Sequence, residues 1–132
     1  MTVLVGYLPT PEGEAAFAAA LDEAARRCEP LLLINSPRGG APVSTDVAAP
    51  DHLAALLAKA ADAGVALEIR QNSHAGEFSD ILLATADEAG ASVIVIGLRR
   101  RSPVGKLFLG STAQQILLNA DRPILAVKPP HR

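Results

Sequence analysis

Cys28 is the only cysteine in the chain, which excludes an internal disulfide framework and a cysteine-rich zinc site. No uninterrupted apolar run approaches the roughly 20 residues that a membrane span requires. The first residues, Met1-Thr2-Val3-Leu4-Val5-Gly6, lack the charged segment and long apolar stretch of a secretory signal, so a cytoplasmic protein is expected. Acids are scarce at one end: beyond residue 96 only Asp121 is acidic. What the chain does have is enough apolar content to fold. It is 49% hydrophobic and 20% charged, the opposite of a disordered composition. Its 132 residues are the length of a single domain, expected to span residues 1–132.

The formal net charge of -2 conceals a strong division. Residues 1–96 carry five basic and thirteen acidic side chains, a net of -8. Residues 97–132 carry seven basic side chains and one acid, a net of +6. Arg99, Arg100, Arg101 and Lys106 fall within eight positions of one another. So local a positive field on an acidic body points to a discrete anionic ligand. A nucleic-acid surface would need its basic residues spread along a face, so no nucleic-acid partner is expected.

Apolar β-branched runs alternate with alanine-rich helical stretches. Val3–Tyr7, Leu31–Asn35, Val65–Arg70, Ser92–Ile96 and Pro123–Lys128 read as strands. Between them, helices are predicted over Glu12–Arg27, from Asp51 as cap to Ala63, from Gly76 or Glu77 to near Gly90, and over Ser111–Ala120. The first helix presents Ala16, Phe17, Ala20, Leu21, Ala24 and Ala25 on one face. Residues 36–50 hold three prolines and two glycines without periodicity and read as a long loop. The alternation of strand and helix calls for a parallel sheet covered by helices on both faces. Ser92–Ile96, the most apolar run, is expected to lie centrally. Ligands of such sheets sit at the carboxyl ends of the strands.

One stretch carries chemistry: Val95 to Thr112, running from the end of the fourth strand through a basic loop into the next helix. Gly97 lets the chain leave the strand, and Gly110 precedes a helix whose first residues are Ser111 and Thr112. Free N–H groups in that first turn, two hydroxyls and the intervening arginines suit a phosphate. Two familiar phosphate loops are absent. Gly105-Lys106 is preceded by Arg100 and followed by Leu107, which breaks the Walker A pattern. After the first strand, Gly6-Tyr7-Leu8 departs from the dinucleotide fingerprint.

The spacing Gly97-x2-Arg100-x9-Gly110-Ser111 resembles the signature of the nucleotide-binding universal stress proteins, Gly-x2-Gly-x9-Gly-Ser/Thr, with Arg100 in place of the middle glycine. The order of elements resembles that family over the whole chain. The resemblance implies a Rossmann-like, doubly wound sheet of adenine nucleotide α-hydrolase type, with five parallel strands in the order 3-2-1-4-5. It implies ATP or AMP as ligand, a homodimer joined through residues 123–128, and a role in stress response. Phosphates would lie against Gly97, Leu98, Arg99, Arg101, Gly110, Ser111 and Thr112, near Gly105 and Lys106. The base would sit by Pro9, Thr10, Ile34, Asn35, Ser36 and the turn after the third strand. ATP-binding members carry Asp-Gly-Ser where this chain has Leu8-Pro9-Thr10. The acid that contacts nucleotide or orders a metal in those members is gone, which weakens the case for a Mg²⁺ role and for hydrolysis.

Blander readings stand beside these. The arginine triplet is a solvated loop or a set of phosphate ligands, and Arg100 either reaches the phosphate or obstructs it. Ser111 and Thr112 serve as a helix cap, a role compatible with phosphate binding. His74 is a surface histidine beside a ligand rim, His52 and His131 have no assigned role, and Cys28 is read as a small, at least partly buried residue. No paired carboxylates or Ser-His-Asp order suggest catalysis, so the expectation is a binding regulator and not an enzyme. The alternatives are a nucleotide-independent dimeric interaction module and a slow ATPase.

Overall fold

The computed structural model describes residues 1–35, 50–71, 78–98 and 111–129. Expectations for Ser36, His74, Gly76, Glu77, Arg99, Arg100, Arg101, Gly105, Lys106, Gly110 and His131 fall outside them. Nine elements alternate along the chain: β1 (Thr2–Gly6), α1 (Pro11–Arg27), β2 (Leu31–Ile34), α2 (Pro50–Asp62), β3 (Leu67–Arg70), α3 (Phe78–Ala89), β4 (Ala91–Gly97), α4 (Ser111–Asn119) and β5 (Ile124–Val127). The strands form one sheet in the order β3-β2-β1-β4-β5, with every neighbouring pair parallel. The expected fold class and strand order are both present. β1 holds the centre, and the apolar β4 is an interior strand beside it.

Period-two alternation in the strands sorts the core into two layers. Val3, Val5 and Tyr7 join Leu31, Leu33, Val93 and Val95 beneath Ala16, Phe17, Ala20 and Ala24 of α1 and Leu56 of α2. Leu4, Leu32, Ile34, Ile94 and Ile96 pack on the other face against Leu82 and Ala86 of α3 and Ile116 of α4. The small alanines of α1 let it lie close on β1 and β4, and the short connection from Gly6 to Pro11 puts its N-terminus at the carboxyl end of β1, against Gly97 at the end of β4. Among the described residues no helix is long and apolar enough to cross a membrane.

Some boundaries differ from the sequence reading for local reasons. Asp51 lies within the first turn of α2, because Pro50 opens the helix with a residue that spares its N–H. Gly64, at φ +72°, ends α2 as expected, but Val65 donates its N–H back to the Ala60 carbonyl at 2.9 Å. The ladder of β3 therefore begins only at Leu67. β5 starts at Ile124, one residue after Pro123, whose carbonyl accepts from the Ile94 N–H at 3.0 Å. Cys28 is exposed, contrary to expectation. It ends α1 in the left-handed conformation, φ 55°, and this turns its side chain off the buried face. Ala25 is exposed as well, one position beyond the apolar stripe.

Candidate functional site

The carboxyl ends of the parallel strands gather the described candidate residues on one side of the sheet. Val5 pairs with Val95 and Gly6 with Ile34, so Tyr7, Asn35 and Gly97 stand at the same rim. Gly97 closes β4 and Ser111 opens α4, which places both ends of the spacing motif where a strand hands over to a helix. Because β4 and β5 are parallel, α4 runs back between them with its N-terminus at this rim.

Gly97 is needed here for a different reason than chain reversal. A Cβ at this position would lie 2.2 Å from the Glu12 carbonyl oxygen. The first turn of α1 therefore rests directly on the end of β4. Leu98 continues from it, donating its N–H to the Val127 carbonyl at 2.7 Å. Its side chain packs against the layer under α3 and α4.

The β1–α1 turn supplies Pro9 and Thr10. Thr10 is the N-cap of α1, and its Oγ1 accepts from the Gly13 N–H at 3.1 Å. Its own N–H donates to the Leu8 carbonyl at 2.8 Å. Ile34 is buried, with its side chain in the layer under α3 and α4. Asn35 is fully buried. Its Nδ2 donates to the Tyr7 carbonyl at 3.0 Å, and its Oδ1 accepts from Gln71 Nε2 at 2.9 Å. Its N–H meets the Arg70 carbonyl. Asn35 thus uses its side chain to tie the ends of β1, β2 and β3 together, while Thr10 spends its own on capping α1. Thr112 is partly exposed in the first turn of α4.

Sequence reasoning missed three residues at this rim. The Tyr7 hydroxyl donates to Glu14 Oε1 at 2.5 Å and is hydrogen-bonded to His52 Nε2. His52 Nε2 also lies 2.9 Å from Glu14 Oε1. Burial first, then the hydrogen bond and negative charge of Glu14, push the Tyr7 phenol well above the ordinary tyrosine range. No spacing rule would have found the set, since His52 is 45 residues from Tyr7. Among the described residues no group of three histidine, cysteine, aspartate or glutamate side chains is placed to hold a metal ion.

The sequence profile of the Universal stress protein family matches residues 1–128. A universal stress protein of Mycolicibacterium smegmatis is 42% identical over 127 residues, covering 96% of this chain and 97% of that protein. The structure of a universal stress protein from Archaeoglobus fulgidus is 30% identical with a TM-score of 0.80, covering 97% of this chain and 98% of its own. A universal stress protein from Archaeoglobus fulgidus in complex with dAMP is 25% identical with a TM-score of 0.76 over the same shares of the two chains. By sequence, strand order and the spacing from Gly97 to Ser111, this chain belongs to the universal stress protein family.

Proposed function

We propose that this protein binds an adenine nucleotide at the carboxyl rim of its sheet and acts as a stress-response regulator without strong catalytic activity. The observation that carries this reading is the placement of the motif's two ends. Gly97 terminates β4 and Ser111 begins α4, so the motif joins the carboxyl end of a strand to a helix N-terminus, a place that favours an anion. The dAMP complex of the Archaeoglobus fulgidus relative supports adenine nucleotide as the ligand class. Phosphates would meet Gly97, Leu98, Arg99, Arg101, Gly110, Ser111 and Thr112, with Gly105 and Lys106 nearby. Pro9, Thr10, Ile34, Asn35 and Ser36 would line the base. Thr10 and Asn35 have committed their side chains to the fold, so their part is to shape the wall and offer backbone groups.

Leu8 in place of an acid favours binding over metal-assisted hydrolysis. Isothermal titration of the full chain with AMP and ATP is expected to give a Kd below about 1 mM. Absence of heat with both would hand the fold to the nucleotide-independent interaction reading.

Homodimerisation through β5 is part of the same proposal. β5 stands at the end of the sheet order, its Ile124, Leu125 and Val127 are only half-buried, and Leu118 on neighbouring α4 is 80% exposed. An edge of this kind invites pairing with its own copy. Sedimentation at about 10 μM should show a dimer, given an affinity in the range of ordinary homodimers. A monomer under those conditions would contradict it.

A further inference from the structure

Tyr7 lies in no motif, yet five separate interactions meet there. Its N–H donates to the Ile34 carbonyl at 2.9 Å, and its carbonyl accepts from Asn35. Its ring stands edge-on to Phe17, centroids 6.3 Å apart, and its hydroxyl donates to Glu14. The His52 ring stacks on the Tyr7 ring at 5.8 Å. The donor count fixes the protons. The phenol has a single proton and gives it to Glu14, so His52 must donate from Nε2 to the phenol oxygen and the carboxylate.

Residues 7 and 14 bracket the turn Leu8-Pro9-Thr10. Their side-chain bond closes that turn from outside, while the Thr10 cap closes it from within. His52, from the first turn of α2, fastens both ends at once. We propose that Tyr7, Glu14 and His52 form a clamp that holds the β1–α1 turn in the shape a bound nucleotide meets, with Tyr7 as its positioning residue and α2 coupled to the site through His52. This rests on the nucleotide-binding reading above. Its physical basis is preorganisation: a turn already fixed costs no ordering when the ligand arrives.

The test uses Tyr7→Phe, His52→Ala and His52→Gln in the full chain, with AMP titration and thermal melts read together. Tyr7→Phe keeps the ring against Phe17 and leaves Glu14 paired with His52, so the melting temperature should fall by no more than about 5 °C. The Kd for AMP should nevertheless rise roughly three- to ten-fold, the scale of one lost hydrogen bond. His52→Ala should do the same, and His52→Gln, which keeps an N–H donor, should recover most of the affinity. Unchanged affinity in Tyr7→Phe and His52→Ala, with wild type binding AMP, would overturn the clamp alone. No binding by wild type would overturn the nucleotide reading and the clamp's purpose with it.

A second readout needs no ligand. Tyr7 is the only tyrosine and there is no tryptophan, so alkaline absorbance titration follows this phenol alone. Tyr7 should resist ionisation well above the ordinary tyrosine range, and Glu14→Gln should bring its midpoint part of the way down, burial keeping the rest. An ordinary midpoint in the wild type would overturn the clamp's geometry outright.

Discussion

Gly97→Ala should lower stability by about 3 kcal/mol, the upper end of what an overpacked methyl costs, and weaken AMP binding at the same time. The added Cβ would sit 2.2 Å from the Glu12 carbonyl oxygen and 2.7 Å from its carbon. Real carbon–oxygen contacts start about 1 Å further out, so α1 must lift from the end of β4. It is poorly free to do so. Its first turn is capped by Thr10, held through Glu14 to Tyr7, and followed by the buried residues Ala16, Phe17 and Ala20. A loss of this size corresponds to roughly 10 °C in melting temperature for a chain of this length. Gly90→Ala is the control. Gly90 has positive φ but nothing within 4 Å of its added Cβ, so it should cost only the left-handed penalty of about 1 kcal/mol. A Gly97→Ala melt within about 2 °C of wild type, a shift worth well under 1 kcal/mol, would show that α1 yields cheaply and that the rim is softer than its packing implies.

The expected fold could be read from the chain because its signals are local. Alternation of β-branched runs with alanine-rich stretches yields parallel strands and crossover helices, and Gly64 marks its helix end by its own backbone conformation. Gly97 and Ser111 were identifiable as motif ends by spacing, and they do close β4 and open α4. What was not legible depends on residues far apart in the chain. The contact of Gly97 with Glu12 and the meeting of Tyr7 with His52 exist only once α1 and α2 are laid on the sheet. Cys28 shows the same limit at short range. Hydrophobic composition suggested burial, but a left-handed helix end turned it outward. The delayed start of β3 has a comparable cause, since Val65 donates its N–H to the Ala60 carbonyl and not to a neighbouring strand.

Gly13→Ala separates these two kinds of reasoning most sharply, because they predict opposite signs. Gly13 is the third residue of α1, and on helix propensity alone alanine should stabilise by about 1 kcal/mol. In the folded chain the added Cβ would lie 1.8 Å from the Leu8 carbonyl oxygen, 2.8 Å from Leu8 C and 3.0 Å from Leu8 N. All three atoms belong to the backbone of Leu8, which cannot rotate aside as a side chain would. The same carbonyl accepts the Thr10 N–H at 2.8 Å, so moving it opens the turn. The net expectation is a loss of about 2–3 kcal/mol, overpacking outweighing propensity. A peptide of residues 10–28 carrying Gly13→Ala should become more helical by circular dichroism while the full chain melts lower. If the full chain instead gains stability, the turn accommodates the methyl and is not rigidly held. The clamp makes the double substitution informative as well. Tyr7→Phe releases the outer tie on the turn, so Gly13→Ala should cost less in that background than in the wild type. The difference, a coupling of roughly 0.5–1 kcal/mol for residues sharing one turn, measures how firmly Tyr7 holds Leu8-Pro9-Thr10 against the site.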